Sequence, residues 1–408
     1  MNYKFPHITH IDDVLPHVEG RKEFVVAERD GFTVINYVVQ TPDTFADDED
    51  GWDIRRECRG LTFDKDGYVA ARKFHKFFNV NERDETQLHN IDLDKPHVIL
   101  EKLDGSMITP FLRDGDIEWH TKMGATDVAG PVNDFVAENQ NYRAFAMAAI
   151  EHGVTPIFEW CSRKNRIVID YAEDNLVLLA MRDNATGEYW DYKRMCDAAL
   201  GFVPVVKVHD SKLDADFMDY VRGLVGVEGF VVRFDDGHMV KVKAEDYLKL
   251  HKAKEAIAQE KNVWALILDE NVDDLKSFLQ EEDRKRVEAF EVDLWKEVNE
   301  KIDLVEAFVA DAKSFLDDGN LSMFGHLTRP DFEMFEDADR DKKKMFATEM
   351  VRELPFGLHS VAFKAYDGMN VRDLVINFIQ NNLGTGTKLD KIRPLFNNIR
   401  FEEVEYEE

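Results

Sequence analysis

Val98-Ile99-Leu100-Glu101-Lys102-Leu103-Asp104-Gly105-Ser106 reads as a buried strand that ends in a lysine and then turns. A lysine at the mouth of a strand can act as an amine nucleophile when desolvation or neighbouring cations penalise its ammonium form. Asp104 lies two residues on, on the same face of an extended chain, where it can orient the site. Gly105 allows close approach of backbone to a phosphate or a base. Alone, Lys-x-Asp-Gly also fits an ordinary solvated turn, so the rest of the chain has to decide.

Downstream, Ile157-Phe158-Glu159-Trp160 places one carboxylate inside an apolar strand. Burying it is costly unless it is paired or hydrogen-bonded. A ribose hydroxyl is one candidate partner; Arg163 or Arg166 is the structural alternative. Glu228-Gly229-Phe230-Val231-Val232 opens a hairpin that turns at Asp235-Asp236-Gly237 and returns through Lys241-Val242-Lys243. Lys241 and Lys243 project from one face, and two ammonium groups there repel unless an anion or solvent separates them. Glu228 can balance them or hold a metal; an exposed edge strand carrying lysines is the plainer reading.

Upstream, residues 24–40 read as a hairpin around Asp30-Gly31, followed by an acidic loop. Arg55, Arg56, Arg59, Arg72, Lys73 and Lys76 then gather within 22 positions. In an acidic chain such a cluster points to a phosphate site, or else to a charged surface beside an aromatic core piece. Residues 129–153 show the apolar spacing of one helix closed by Gly153.

The chain has 408 residues, enough for two domains, and a net charge of −29 from 52 Lys+Arg against 81 Asp+Glu. That balance opposes a broad nucleic-acid-binding surface, so any basic groove must be local. No apolar run reaches membrane-span length and the N-terminus lacks a signal-peptide pattern, so a cytoplasmic protein without membrane contact is expected. Cys58, Cys161 and Cys196 are widely spaced, without metal-ligand spacing, and fit reduced, packed thiols.

The order Lys-x-Asp-Gly, Phe-Glu-Trp, Leu-Leu-Ala-Met-Arg-Asp, Glu-Gly-Phe-Val-Val, Lys-Val-Lys resembles the signature motifs of covalent nucleotidyltransferases, over roughly 140 residues. Glu57-Cys58-Arg59-Gly60, Lys76-Phe77-Phe78-Asn79, Asn165-Arg166-Ile167-Val168, Ala185-Thr186-Gly187-Glu188-Tyr189 and Asp246-Tyr247 narrow the resemblance to the phage RNA ligase 1 family. It continues through Val272-Asp273-Asp274-Leu275-Lys276 and Val287-Glu288-Ala289-Phe290-Glu291 and thins after about residue 300.

The resemblance implies an α+β fold: an antiparallel-sheet nucleotidyltransferase (ATP-grasp-like ligase) domain over 1–250, then an all-α C-terminal domain over 251–408 that contributes to RNA-substrate choice. It implies an ATP-dependent RNA ligase, with ATP as AMP donor and Mg²⁺, or Mn²⁺, as metal. Lys102 corresponds to the nucleophile that takes AMP from ATP. The AMP then passes to an RNA 5′-phosphate and is displaced by a 3′-hydroxyl. Arg59 and Lys76 match residues on the ATP phosphates, Lys241 and Lys243 those on the α-phosphate, and Glu159 the ribose binder. Tyr37 and Lys122 match a further tyrosine and lysine of the nucleotide site, and Asp104 and Gly105 complete the motif at Lys102. Glu228 resembles an acidic residue that binds metal directly or through water. Asp273 and Asp274 resemble an acidic pair at a divalent-ion site; helix N-cap residues are the alternative. RNA with 5′-phosphate and 3′-hydroxyl ends is the implied partner, with a nicked tRNA anticodon loop as a narrower hypothesis, and a monomer and a phage origin as family expectations. Lys241, Lys243, Arg59 and bound Mg²⁺ are expected to depress the Lys102 pKa.

Residues 253–300, 301–318, 370–382 and 387–399 have helical apolar spacing, and the acidic tail from Glu402 to Glu408 is expected to fray. DNA ligases and capping enzymes, the alternatives within the superfamily, usually continue after Lys-x-Lys into an OB barrel. No alternating run of that kind follows Lys243. A binding protein that kept only the pocket would not need Lys102.

Overall fold

The computed structural model describes residues 4–46, 50–164, 166–319, 323–384 and 386–402. Asn165 and the acidic tail beyond Glu402 lie outside the described residues. One compact unit runs to His251 and a second begins at Lys252. No helix among the described residues is long and apolar enough to cross a membrane.

The first unit is built on three sheets. An antiparallel meander holds β1 (Phe24–Arg29), β2 (Phe32–Tyr37), β3 (Arg59–Asp64) and β4 (Val69–Ala71) in that order. The remaining strands are β5 (Phe78–Asn79), β6 (His97–Lys102), β7 (Ser106–Arg113), β8 (Asp116–His120), β9 (Val154–Cys161), β10 (Asn175–Asp183), β11 (Val208–His209), β12 (Gly229–Phe234) and β13 (Met239–Lys243). They form one sheet in the order β10-β9-β7-β8 and another in the order β11-β6-β12-β13-β5. The named strand pairs are antiparallel except β13 with β5. The chain leaves the third sheet at Lys102 and enters the second at Ser106, so the turn 103–105 joins the two.

Strand alternation sets what each face carries. Phe230, Val232, Phe234, Val240 and Val242 pack with Phe217 and Val221 of helix Ala215–Arg222. The residues between them, Gly229, Val231, Lys241 and Lys243, therefore belong to the opposite face. In the second sheet β9 is buried along its whole length and packs with helices Ala129–Glu138 and Gln140–Glu151. These two helices replace the single one expected over 129–153. Asn139 leaves helical geometry (φ −122°), and its side-chain amide donates to the Phe135 carbonyl, capping the first helix.

The cation cluster at 55–76 divides in two. Glu57, fully buried, accepts from Arg72 at 3.0 Å and from Arg182 at 2.8 Å. Burial opposes its charge, but Arg182 and Arg72 outweigh that and hold its pKa below the ordinary value. Arg72 also donates to the Pro6 and Ala185 carbonyls, which fastens the N-terminal segment and the 184–187 turn to the sheets. Lys73 is buried on the Gly60 carbonyl (2.6 Å) and Thr62 Oγ1 (2.8 Å), and burial pulls its pKa down to about 7. Arg56 pairs with Glu85 at 2.6 Å, and Arg55 donates to the Asp50 carbonyl. Four of the six clustered cations thus hold the fold.

The second unit is helical, and no strand follows Lys243 among the described residues. The pattern read over 253–300 and 301–318 breaks elsewhere than expected. Helices Glu260–Leu268 and Val272–Lys276 are separated near Glu270, which has φ 58°, and one 38-residue helix then runs Glu281–Asp318 without a break at 300. No Gly or Pro interrupts that stretch. Over 387–399 the helix Gly386–Ile392 gives way to a 3₁₀ turn, Arg393–Phe396, where Pro394 withdraws an N–H. The core gathers Trp264, Phe290, Leu294, Phe308, Phe346 and Phe396. A bidentate pair between Glu260 and Arg393 (2.7 and 2.9 Å) closes it beside Phe401, whose N–H donates to Glu260.

Candidate active site

Register brings Lys102 and the later lysines together. Gly229 lies opposite Lys102 on one side and Lys243 on the other, so the three occupy one row across β6, β12 and β13. Leu100, Val231 and Lys241 form the next row. Glu228, buried at the start of that hairpin, pairs through the same oxygen with Lys102 Nζ at 2.7 Å and Lys243 Nζ at 3.0 Å. No side chain at Gly229 separates the two lysines.

Burial opposes charge on Lys102, but Glu228 and Glu159 outweigh it and raise its pKa above the ordinary lysine value, against a smaller downward push from Arg59. This overturns the expected depression for the nucleotide-free chain: a carboxylate within 2.7 Å governs the group more than neighbouring cations do. Among the lysines of the site, the depressed one is Lys241. Burial, then Lys76, Lys102, Arg59 and Lys243, push its pKa well below the usual range. Burial raises Glu159 to about 8, with Lys102 opposing and Glu228 and Asp104 adding to the rise. These mutual influences place Arg59, Lys76, Lys102, Lys241, Lys243, Glu159 and Glu228 in one neighbourhood. Five cations converging on two carboxylates favour an anionic occupant with several charged oxygens.

The other assigned residues have defined places. Asp104 is buried and accepts from the backbone N–H groups of Val168 (2.7 Å) and Ile169 (2.6 Å) and from Tyr247 OH (2.7 Å). It ties the nucleophile's turn to the 166–171 segment and to helix Glu245–Ile257, so it positions Lys102 from behind. At Gly105 a Cβ would lie 2.2 Å from the Trp160 carbonyl oxygen and 3.2 Å from Glu159 Cγ, so the close approach there is to β9 itself. Lys122 packs its backbone against Gly60, the residue after Arg59: its carbonyl oxygen would be 2.4 Å from a Cβ there. Lys76 Nζ sits 5.3 Å from the Tyr37 ring, 5.2 Å from Phe78 and 5.9 Å from Phe45, and donates to Gln40 Oε1 at 2.6 Å. Gln40 carries no signal in the sequence; it reads as one more polar residue before an acidic loop.

Asp273 and Asp274 stand in the first turn of helix Val272–Lys276 in the second unit, and Asp273 pairs with Lys276 at 2.9 Å. Among the described residues no group of three or more His, Cys, Asp or Glu side chains converges as a metal site. Glu228 remains the carboxylate paired directly with Lys102. A single carboxylate suits Mg²⁺, which is commonly held through one or two carboxylates plus substrate phosphates.

Residues 57–257 match the model of a family described as RNA ligase. A Thermovibrio ammonificans protein bearing an RNA ligase designation is 31% identical over 254 residues, covering 60% of this chain and 64% of that one. RNA ligase 1 of bacteriophage TS2126 is 28% identical over 247 residues, covering 57% of this chain and 60% of the phage protein. The chain thus spans less than two thirds of either relative. A solved archaeal ATP-dependent RNA ligase aligns over 73% of this chain and 79% of its own, with 14% identity and a TM-score of 0.44.

Proposed function

We propose, from the match of residues 57–257 to the RNA ligase family model, that this protein is an ATP-dependent RNA ligase with Lys102 as its nucleophile. The observation that carries the reading is the row Lys102, Gly229, Lys243 over Glu228, with Lys241 in the next row. In the first step Lys102 Nζ attacks the α-phosphorus of ATP. The Lys102 ammonium first gives up a proton to Glu228 or solvent; the neutral amine then forms the P–N bond as the bond to pyrophosphate breaks, and its remaining excess proton leaves to solvent. The AMP next passes to an RNA 5′-phosphate, which frees the lysine. The 3′-hydroxyl of another end then attacks that phosphate and releases AMP. All three steps are substitutions at phosphorus, which need alignment and neutralisation of developing charge.

The residues divide that work. Lys241 and Lys243 face the α-phosphate, Arg59, Lys76 and Lys122 the departing pyrophosphate, and Glu159 and Tyr37 the nucleoside. Glu159, its pKa raised to about 8, is largely protonated at neutral pH and can donate as well as accept a hydrogen bond. Glu228 would hold a divalent cation, Mg²⁺ or Mn²⁺; Asp273 and Asp274, in the second unit, are proposed separately as an acidic pair for a divalent ion. When bound, the cation supplies positive charge at the phosphates. Turning Glu228 from Lys102 toward such a cation weakens the ion pair that keeps the amine protonated.

The substrate in this reading is RNA with 5′-phosphate and 3′-hydroxyl ends, and RNA repair in the cytoplasm by a monomer is the corresponding role. The helical unit from Lys252 onward selects the RNA, with a nicked tRNA anticodon loop as its specific form. The test is incubation with Mg²⁺ and α-labelled ATP or GTP, followed by a denaturing gel. Label from ATP retained on the wild type and lost in Lys102→Ala is expected. Label from GTP would move the reading to capping chemistry, and no label from folded, AMP-free protein would reject it.

A further inference from the structure

A chain of polar contacts joins two of the phosphate-facing cations through Gln40. Its Oε1 accepts from Lys76 Nζ at 2.6 Å, and its Nε2 donates to Glu82 Oε1 at 3.5 Å. Glu82 Oε2 accepts from Asn79 N at 2.8 Å and from Asn79 Nδ2 at 2.6 Å. Asn79 is registered with Lys241 in the parallel β5–β13 pair, and the Val80 N–H donates to the Lys241 carbonyl at 2.9 Å. The head of one cation is thereby coupled to the strand that carries another.

The chemistry of the ends fixes the amide between them. An ammonium only donates and an ionised carboxylate only accepts, so the group linking Lys76 to Glu82 must accept on one side and donate on the other. A neutral amide does both. A glutamate at position 40 would face Glu82 with like charge, and a methionine would satisfy neither partner. Lysine needs such a fixture more than arginine does, because its charge rides on a flexible four-carbon stem. The rings of Tyr37, Phe45 and Phe78 favour the cation near their faces, and Gln40 supplies a directional contact among them.

We infer that Gln40 is a positioning residue: it aims Lys76 at the phosphates that leave as pyrophosphate when Lys102 is adenylylated. The inference rests on the ligase reading above and adds to it a residue acting through Lys76. Gln40 is exposed, so replacing it leaves the core intact.

The test compares wild type with Gln40→Met in three reactions. The first is lysyl-AMP formation against ATP concentration. The second is its reversal by added pyrophosphate. The third is sealing of RNA that already carries a 5′-adenylate, a step in which no pyrophosphate takes part. Loss of one hydrogen bond to a charged group corresponds to about a tenfold effect. The expected result is a KM for ATP and a pyrophosphate requirement each raised about tenfold, with kcat and sealing within about twofold of wild type. Wild-type values in the first two reactions would overturn the inference and leave the ligase reading standing. A parallel fall in all three would also overturn it, by showing a general structural role. Failure of the wild-type chain to take label would remove the ligase reading and this inference with it.

Discussion

Gly229→Ala should break the site by moving Lys243. The new Cβ would lie 2.0 Å from the Val242 carbonyl oxygen, 2.8 Å from Lys243 Cα and 3.0 Å from the Val242 carbonyl carbon, all backbone atoms. Ordinary contact begins at 3.4 Å, so β12 and β13 must separate locally by about 1.4 Å, the difference between 3.4 and 2.0 Å. No rotamer change relieves the clash, and φ 141° is itself a conformation that alanine rarely adopts. Backbone strain of about 1–3 kcal/mol adds to overpacking of about 1–3 kcal/mol, or about 2–6 kcal/mol together. For a unit of this size that lowers Tm by roughly 5–20 °C. Because Lys102 and Lys243 flank this residue in register, the separation also misplaces the two by about 1 Å, enough to cost on the order of 10²-fold in rate. The assay is the initial rate of lysyl-AMP formation well below the variant's Tm, beside a thermal melt. Wild-type Tm together with wild-type labelling would refute the reasoning. A lowered Tm with an unchanged rate would show that the register does not set the distance between the lysines.

Glu57→Gln should destabilise the first unit by about 3–5 kcal/mol, because it leaves Arg72 and Arg182 buried without their shared carboxylate. Urea unfolding measures it, and a change below about 0.5 kcal/mol would contradict the role assigned to the triad. Glu159 gives a pH signature. Its folded pKa of about 8 exceeds the ordinary 4.5, so the folded state binds more protons and the group loses stability as pH rises through that window. Glu159→Gln should therefore gain stability over wild type progressively between about pH 4.5 and 8, and parallel stability curves for the two proteins would exclude the shift.

What the sequence makes legible follows the range of the interactions. The hairpin of β12 and β13 is local, so its Asp-Asp-Gly turn and alternating pattern are enough to place Lys241 and Lys243 on one face. The pairing of β6 with β12 joins residues more than a hundred positions apart, and strand periodicity is silent about such partners. The order of the motifs supplies what periodicity cannot. The cluster at 55–76 is only half legible. Spacing shows that six cations are close in sequence, but burial decides that Arg72 serves Glu57 and Lys73 serves the Gly60 carbonyl, while Arg59 and Lys76 act on Lys241. Gln40 is not legible at all, because its partners Lys76 and Glu82 stand 36 and 42 positions away.

The upward shift of Lys102 has a consequence for how the acidic chain handles its substrates. Without nucleotide, Glu228 binds both Lys102 and Lys243, so one carboxylate is already shared between two of the converging cations. A phosphate arriving there competes with an internal carboxylate. That lowers the gain from binding any single phosphate and favours a ligand presenting several charges at once, as ATP does. The chain as a whole carries a net −29, a balance that opposes holding lengths of RNA strand. On the proposed ligase reading, affinity is then concentrated at one point of the protein and, on an RNA substrate, at its ends. A chain that bound RNA along its length would need its arginines outward, and here Arg72 and Arg182 lie buried on Glu57.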